Sequence, residues 1–429
     1  MSINIPIQGK RIIIVGAGFA GLKLARQLST SKYQVVLIDK NNYHQFQPLF
    51  YQVATAGLEP SAISFPLRKA FQLEDNVYVR VTKVLKVEPS ANTLITELGN
   101  ITYDYLVLAM GTDTNFFGMK NISERAMPMK SVSEALALRN KILQNLEDAL
   151  VADTEEEKQG LLNIVIVGGG PTGVEVSGTL AEMKKNILPK DYPEIDFKKM
   201  NIHLVESSQQ VLNVMADISS KKAKEYLEKL GVIVSTGTQV KDFDGKLVYL
   251  GDGTTIRSNN LIWAAGVAAV KLEGIDPTVI ARGGRIKVDR LNKVEGTENI
   301  FAIGDIAMMV EDEYPNGHPQ LSQPAMQQGQ NLAKNFVNML EGKPLKPFAY
   351  KNLGTMATVG KNLAVVELTF VKFQGFFAWL LWMFVHLMAI LGVKNKLLIF
   401  VNWFWHYFTS DQSLRLIMKP KEKVVVENN

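Results

Sequence analysis

The chain has 429 residues, of which 47% are hydrophobic and 21% are charged, so it is long enough for two or more domains and too apolar to be disordered. Its net charge of +5 suits an anionic cofactor or an acidic membrane surface and is too small to indicate nucleic acid. The complete lack of cysteine excludes disulfides, thiolate metal sites, iron–sulfur clusters and redox-active cysteine pairs.

The first predicted elements are a strand, a glycine-rich turn, a helix and a second strand. No signal-peptide pattern precedes them, and we therefore expect a protein that starts in the cytoplasm. Residues 11–15 (RIIIV) have the composition of a buried parallel strand, and residues 16–21 (GAGFAG) lead from it into the helix. The second strand, at residues 34–38, ends on the carboxylate of Asp39.

The same order of elements recurs in the middle of the chain. Residues 163–167 (NIVIV) lead into residues 168–173 (GGGPTG), and the helix that follows is predicted to end near residue 186. The next strand, at residues 201–205, ends on Glu206. One glycine-rich turn is weak evidence, whereas two copies, each with its strand, helix and acid in place, indicate two dinucleotide-binding units.

A small β-meander is predicted after each copy. The meanders span residues 77–98 and 232–256, and strands at residues 105–111 (YLVLAMG) and 261–266 (LIWAAG) follow them. The duplication therefore covers whole domains. The predicted fold class is α/β, with two Rossmann-like dinucleotide-binding domains and a C-terminal helical segment that associates with a membrane.

The two loops and their acids have a physical reason to bind dinucleotides. Glycines let backbone N–H groups approach a pyrophosphate at a helix N-terminus, and the acid accepts hydrogen bonds from an adenosine ribose. Because Glu206 is followed by Ser207, Ser208 and Gln209 with no arginine, NAD is favoured over NADP. An alternative interpretation, in which Asp39 and Glu206 are ordinary solvated residues at strand ends, stays open.

A third element assigns the cofactors. Residues 299–305 (NIFAIGD) form an apolar strand that closes on Asp305, and with the two loops they resemble the two-dinucleotide-binding-domain flavoprotein disulfide reductase superfamily. The resemblance implies FAD at the first loop and NADH at the middle domain. The FAD residues are then Gly16, Gly18, Phe19, Ala20, Gly21, Asp39, Lys40, Ala109, Gly111, Asp305 and Gln323. The NADH residues are Gly168, Gly170, Pro171, Thr172, Gly173, Glu175, Glu206 and Gly266.

Three stretches resemble type II NADH:quinone oxidoreductases in particular, within a similarity that runs from about residue 10 to residue 410. They are residues 43–57 (YHQFQPLFYQVATAG), 168–175 (GGGPTGVE) and 322–329 (SQPAMQQG). Related disulfide and sulfide:quinone reductases use a cysteine pair, which this chain lacks. The resemblance therefore implies hydride transfer from NADH to FAD and two-electron reduction of a membrane quinone. The five histidines show no ligand spacing, so we expect no metal site.

The same resemblance suggests catalytic roles for Glu175, Gln323 and Lys372. It implies that Gln323 lies beside the flavin where quinone arrives, with Gln327 and Gln328 lining the same pocket. Glu175 is placed near the contact between nicotinamide and flavin, where a carboxylate has the chemistry to relay a proton. Lys372 is placed near the flavin or the quinone entrance. Each residue also has a purely structural interpretation. Gln323 is then a polar residue at the start of a helix, Glu175 a carboxylate that stabilises a helix N-terminus, and Lys372 a lysine that reaches lipid headgroups.

The C-terminal tail is apolar and rich in tryptophan. Residues 373–392 carry no formal charge, and residues 397–408 form a second apolar run with a polar stripe. We expect two helices that lie in one leaflet of the membrane, with Lys419, Lys421 and Lys423 adding attraction to anionic lipid. A single membrane span and a soluble dimerisation surface are the alternatives.

The sequence thus predicts a type II NADH dehydrogenase of the respiratory chain, peripheral on the cytoplasmic face of the cell membrane, homodimeric and unable to pump protons. The predicted domains are residues 1–125 and 286–350 for FAD, 126–285 for NADH and 351–429 for membrane anchoring. A soluble NADH-dependent ferredoxin or rubredoxin reductase remains an alternative, as does a non-catalytic NADH sensor.

Overall fold

The structure is a computed structural model, and it describes residues 3–411 and 414–418. Lys419, Lys421 and Lys423, which the sequence analysis assigned to lipid attraction, lie outside the described residues.

The secondary structure alternates between strands and helices. The strands are β1 (Arg11–Val15), β2 (Gln34–Asp39), β3 (Tyr43–Gln45), β4 (Ser64–Pro66), β5 (Val77–Val81), β6 (Val84–Glu88), β7 (Thr93–Thr96), β8 (Gly99–Thr102), β9 (Tyr105–Leu108), β10 (Thr112–Thr114), β11 (Met127–Pro128), β12 (Ile164–Val167), β13 (Ile202–Glu206), β14 (Val232–Thr236), β15 (Val240–Phe243), β16 (Leu247–Leu250), β17 (Thr255–Arg257), β18 (Asn260–Trp263), β19 (Val267–Ala269), β20 (Ile286–Val288), β21 (Ile300–Ala302), β22 (Ala307–Met309), β23 (Thr355–Gly360), β24 (Leu363–Glu367) and β25 (Lys372–Gln374). The helices are α1 (Phe19–Leu28), α2 (Phe50–Ala54), α3 (Leu67–Ala70), α4 (Lys120–Arg125), α5 (Val132–Leu150), α6 (Glu155–Leu162), α7 (Pro171–Asn186), α8 (Leu188–Asp191), α9 (Asp217–Lys229), α10 (Ser322–Glu341), α11 (Phe376–Ala389) and α12 (Val393–Thr409).

The chain forms two compact units, each assembled from three segments. The first unit comprises the described parts of Met1–Gln45, Ser64–Asn115 and Val267–Leu353. The second comprises the described parts of Phe46–Ile63, Phe116–Gly266 and Gly354–Asn429. The domain boundaries predicted from the sequence stay a prediction, because compactness does not show which segment holds which nucleotide.

The first unit is built on a parallel sheet with the strand order β21-β9-β1-β2-β5. All five residues of β1 are buried, as expected for a β-branched run covered on both faces. In the first unit β1 pairs with β2 and β9, so the chain leaves β1 at its carboxyl edge and enters α1 through the glycine-rich turn. This is the edge at which open α/β sheets bind ligands.

The second unit repeats this plan with the strand order β11-β18-β12-β13-β14. The central strand β12 pairs with β13 on one side and β18 on the other, and α7 follows it through the second glycine-rich turn. The predicted helix end near residue 186 is confirmed by Asn186 as the last residue of α7. The predicted α/β fold with two Rossmann-like sheets is therefore confirmed.

The two predicted meanders were wrong at their first strand. β5 pairs in parallel with β2, and β14 pairs in parallel with β13, so each closes its unit's large sheet as an outer strand. The antiparallel meanders start only afterwards, with the orders β6-β7-β8 and β15-β16-β17. The sequence pattern of a strand gives its two faces but not the direction of its partner, which explains the error.

The C-terminal part of the second unit is an antiparallel sheet, β23-β24-β25, followed by α11 and α12. Helix α7 lies directly on β23: a Cβ atom on Gly178 would be 1.5 Å from the carbonyl oxygen of Val359. The uncharged stretch of residues 373–392 is only partly helical, because α11 covers Phe376–Ala389. Within residues 3–411 and 414–418, no helix combines the length and apolarity needed to cross a membrane.

Candidate functional site

In the first glycine-rich turn the backbone lies directly against the end of β9. Gly16 has a φ of +102°, and a Cβ atom there would lie 2.3 Å from the carbonyl oxygen of Ala109 at the end of β9. Gly18 precedes the first residue of α1, and beyond its chain neighbours no described atom lies within 4 Å of where its Cβ would be. The helix N-terminus is thus open on the side that a phosphate would approach.

Backbone N–H groups, one of them in the first glycine-rich turn, hold the carboxylate of Asp39 in place. Its Oδ2 accepts a hydrogen bond from the N–H of Ala17 at 2.7 Å, and its Oδ1 accepts one from the N–H of Asn41 at 2.7 Å. Burial raises the pKa of Asp39, while these two N–H groups and the charge of Lys40 lower it. The carboxylate is therefore fixed in direction at the edge of the loop, as a ribose acceptor must be.

The Gly-Asp segment lies against the same turn. A Cβ atom on Gly304 would be 3.1 Å from that of Ala20, and the N–H of Gly304 donates to Oε1 of Gln328 at 2.7 Å. The hydroxyl of Thr112 donates to Oδ2 of Asp305 at 3.3 Å. The structure thus brings together, within the first unit, the glycine loop and the Gly-Asp pair assigned to FAD.

The second glycine-rich turn has the same close backbone approach and the same pair of carboxylate hydrogen bonds as the first. Gly168 has a φ of +107°, and a Cβ atom there would lie 2.7 Å from the carbonyl oxygen of Ala264. Glu206 takes the place of Asp39: its Oε2 accepts from the N–H of Gly169 at 2.5 Å, and its Oε1 accepts from Ser208 at 2.6 Å. Glu206 is therefore held at the loop in the same way.

The start of α7 supplies the remaining part of the second loop. Gly170 precedes Pro171, the first residue of α7, and among described atoms outside its chain neighbours none lies within 4 Å of where its Cβ would be. Proline at this position leaves no helical N–H unused. Gly266 has a φ of +112°, and a Cβ atom there would meet the Phe117 ring at 2.9 Å.

Glu175 is buried in the second turn of α7, with 7% of its surface exposed. Burial raises its pKa well above the usual value, and the backbone N–H of Thr358 and the side chain of Trp382 partly oppose this rise. Burial chiefly, and the charge of Glu175 after it, raise the pKa of Tyr51. A raised pKa makes a carboxyl group hold its proton more readily, which is what a proton donor requires.

The other residues predicted to be catalytic lie in less enclosed positions. Oε1 of Gln323, in the first turn of α10, accepts from the N–H of Leu353 at 3.2 Å. Gln327 exchanges two hydrogen bonds with the backbone of Lys351, at 2.8 and 3.0 Å. Lys372 is exposed on the edge strand β25, opposite Glu367. The roles given to these residues stay predictions.

Four neighbours of these groups were missed from the sequence. The buried His44 donates from Nδ1 to the carbonyl oxygen of Ala17 at 2.8 Å, and this hydrogen bond stabilises the first loop. Thr358 and Trp382, from elements far away in the chain, lower the pKa of Glu175. Of these residues only Thr112 had a signal in the sequence, because it directly follows Gly111, which was predicted to bind FAD.

Both loops have the donor set and the space that a dinucleotide needs. Glycines stand where a side chain would close the loop, a helix N-terminus faces open space, and a carboxylate is aligned beside it. The first unit adds Asp305 and Thr112 at the same edge. The residues of the first unit therefore fit FAD, and those of the second fit NADH.

The comparisons with known proteins agree with this geometry. Residues 10–329 match the family described as pyridine nucleotide-disulphide oxidoreductase, and residues 352–411 match the NDH2 C-terminal domain. The structure of NDH2 from Plasmodium falciparum in complex with NADH has the same fold, with a TM-score of 0.88 and 22% identity, and the match covers 96% of this chain and 100% of that one. Fold and site thus define a two-nucleotide flavoprotein.

The relatives by sequence are more specific. The type II NADH:quinone oxidoreductase Ndh of Mycobacterium tuberculosis is 34% identical, over 93% of this chain and 88% of that protein. The internal alternative NAD(P)H-ubiquinone oxidoreductase A1 of Arabidopsis thaliana is 30% identical, over 92% of this chain and 83% of that protein. This chain belongs to the type II NADH:quinone oxidoreductase family, and the resemblance stated from its motifs is confirmed.

Proposed function

We infer that this chain is an NADH:quinone oxidoreductase that uses FAD, transfers a hydride from NADH and reduces a quinone by two electrons without pumping protons. The observation that carries the inference is the duplicated nucleotide-binding loop in a chain without cysteine. Two nucleotide sites in one chain suit electron transfer between two cofactors, and the lack of cysteine leaves no dithiol to receive the electrons.

FAD, when bound at the first loop, supplies the hydride acceptance and two-electron donation that no side chain of this protein offers. The chain's own residues bind and orient the nucleotides. We assign the pyrophosphate of FAD to residues 16–21 and that of NADH to residues 168–173, with Asp39 and Glu206 on the two riboses. Glu175, Gln323 and Lys372 are assigned to the quinone side, where Glu175 has the raised pKa of a proton donor.

We propose that α11 and α12 anchor the protein on the cytoplasmic face of the cell membrane. Large apolar side chains on both helices are exposed, among them Phe377, Phe384, Phe404 and Phe408 at 75, 60, 57 and 70%. An apolar surface of this kind on a globular protein marks an interaction site. A quinone is dissolved in the membrane, so an anchor in one leaflet brings the enzyme to its substrate. We further propose a homodimer, which sedimentation in detergent tests.

The proposed division of labour places FAD on residues 1–125 and 286–350, NADH on residues 126–285 and the membrane on residues 351–429. It is supported by the loop geometry within each unit and by the exposed apolar side chains of α11 and α12.

The proposed function is tested by purifying the protein from membranes and measuring NADH oxidation with menaquinone and ubiquinone analogues. We expect one quinol per NADH, non-covalent FAD in the protein, and lower activity with NADPH because none of Ser207, Ser208 and Gln209, which directly follow Glu206, is basic. A protein that binds NADH without turnover would be the sensor considered above. Turnover only with a ferredoxin or rubredoxin would support the soluble reductase and contradict the proposal.

A further inference from the structure

The proposed reaction consumes a proton, which the buried site must obtain from solvent. NADH + H⁺ + quinone gives NAD⁺ + quinol, so each turnover takes one proton from water. Glu175 is 7% exposed, and a proton can reach it only through the protein. The inference that follows rests on the proposed function and names the route.

Helix α7 carries a line of three polar side chains on one face. Glu175, Thr179 and Glu182 stand at spacings of four and three residues, which places them on the same side of the helix. The helix rises roughly 10 Å between the two carboxylates. The hydroxyl of Thr179 donates to the carbonyl oxygen of Glu175 at 2.9 Å. That oxygen belongs to the main chain, so the Thr179 hydroxyl lies between the two glutamates on this helix face without bonding to either carboxylate.

The strand β23 and the turn after it meet both ends of this line. Near its middle, the N–H of Thr358 contacts Glu175. At its end, the N–H of Lys361 donates to Oε1 of Glu182 at 2.5 Å. A Cβ atom on Gly360 would lie 2.7 Å from the same oxygen, so the turn closes directly on the Glu182 carboxylate. The two carboxylates are thus held by one rigid hairpin.

A cavity of about 80 Å³ lies along this line. Its lining includes Thr179, Glu182, Thr358, Trp382 and Gln52. A cavity needs roughly 10–15 Å³ to hold one water molecule, so there is room for several in a row. Thr358 and Trp382 line the cavity and also lower the pKa of Glu175, and Glu182 lines the cavity while remaining partly exposed. The cavity therefore extends from the partly exposed Glu182 to two residues that act on the enclosed Glu175, which does not itself line the cavity.

The charges around Glu182 suit a group that both gains and loses a proton near neutral pH. Burial raises its pKa to about 6, opposed by the N–H and charge of Lys361 and the charge of Lys185. Lys361 is itself held in place, because its Nζ donates to the carbonyl oxygen of Tyr407 at 2.5 Å. The titratable groups that face Glu182 or share its cavity are Lys185 on α7, Lys361 in the turn, Tyr51 on α2, and His406 and Tyr407 on α12.

We propose that Glu182 takes up the proton from water and passes it through this cavity to the carboxylate of Glu175. In the transfer the O–H bond on Glu182 breaks, an O–H bond on Glu175 forms, and Glu182 is protonated again from solvent. No group is oxidised or reduced. Glu182 acts through Glu175 and touches neither cofactor nor quinone, so it is a relay residue and not a catalytic one.

The test compares wild type with Glu182→Gln, which keeps an oxygen to accept the Lys361 N–H but cannot carry a proton. The matched control is Glu194→Gln, an exposed glutamate of the same unit. Stopped-flow spectra follow flavin bleaching by NADH, and steady-state assays follow quinol formation from about pH 5 to about pH 9. We expect E182Q to leave bleaching unchanged and to lower quinone turnover at least about tenfold at pH 7.

The pH profile separates a relay from a structural role. Wild-type turnover should fall as pH rises above the pKa of Glu182, and this limb should be absent in E182Q. Glu182→Asp, which restores a carboxyl group, should recover part of both the turnover and the limb. A wild-type profile and turnover in E182Q overturn the proposal, as does equal loss in the aspartate variant.

A measurement without turnover completes the test. In infrared difference spectra of the full protein without NADH or quinone, a carboxyl band should titrate near pH 6, the pKa of Glu182, and be lost in E182Q but not in E194Q. If wild type reduces no quinone, the proposed function fails. If it reduces quinone while the band persists in E182Q, only the relay fails.

Discussion

Three carboxylates of this protein have three different surroundings, and these surroundings decide what each group can do. Asp39 and Glu206 each accept two backbone hydrogen bonds at the edge of a glycine loop, which fixes the direction of each carboxylate. Glu175 is enclosed by α7, β23 and α11, and burial raises its pKa. We therefore assign the first two to nucleotide binding and the third to holding and releasing a proton.

Replacing Asp39 tests the assignment of the first loop. In Asp39→Asn an amide N–H₂ or a neutral oxygen replaces the carboxylate, so a charged hydrogen bond to the ribose is lost. We expect the Kd for FAD to rise about ten- to a hundredfold, measured by flavin fluorescence during titration of the apoprotein. Asp312→Asn, an exposed substitution in the same unit, should retain FAD. Equal retention in both variants would falsify the assignment.

The raised pKa of Glu175 predicts a pH-dependent stability. Its ordinary value is 4.5, and the folded protein holds the proton to higher pH than the unfolded chain does. The free energy of unfolding therefore falls as pH rises from about 4.5 toward the folded pKa. Glu175→Gln does not titrate, so its Tm relative to wild type should increase between pH 5 and pH 8, by roughly 2 to 4 °C for each kcal/mol. Thermal melts at both pH values measure this, and a constant difference would contradict it.

Sequence spacing located the binding carboxylates but not the neighbours of Glu175. Asp39, Glu206 and Asp305 each close a recognisable strand, so their positions followed from the motif. Thr358 and Trp382 reach Glu175 from β23 and α11, and no local pattern reports such a contact. The burial of Glu175, and hence its pKa, could therefore be learned only from the folded chain.

At the scale of elements, the close approach of α7 to β23 positions the enclosed carboxylates. Gly178 has no room for a side chain against Val359, and this contact sets how near the hairpin lies to Glu175 and Glu182. The sequence predicted α7 and its last residue correctly from periodicity and the preceding glycines. It misassigned β5 and β14, because the partner of an outer strand is set by tertiary packing.

The apolar side chains of α11 and α12 predict binding to lipid. Phe404 and Phe408 are more than half exposed on α12, and each would bury its ring in a membrane interface. The double variant Phe404→Glu/Phe408→Glu should bind liposomes at least about a hundredfold more weakly, since burying each ring is worth about 1.5–3 kcal/mol. Flotation with anionic liposomes measures the bound fraction.

The control for lipid binding is Leu73→Glu, because Leu73 is 87% exposed but lies in the first unit, away from the two helices in the chain. It should float like wild type. If the double variant also floats like wild type, α11 and α12 are not the membrane anchor, and a change of oligomeric state in sedimentation would instead assign them to a dimer surface.

At the scale of the whole molecule, one architecture is used twice for two different nucleotides. Both units close a glycine loop on the carbonyl oxygen of an alanine, at Ala109 and Ala264, and both align an acid beside it. Only the first unit adds the Gly-Asp segment at residues 304–305. Because of that addition we assign the resident FAD to the first unit and the transient NADH to the second, and the absence of cysteine supports a quinone as the electron acceptor.

The most direct test of this arrangement is a single-turnover experiment without oxygen. The purified protein is mixed with one equivalent of NADH and then with one equivalent of a quinone analogue, while the flavin spectrum is recorded. We predict complete bleaching in the first step and complete recovery in the second, with one quinol formed per FAD. Bleaching that no quinone reverses, or a protein that binds no flavin, would contradict the central claim.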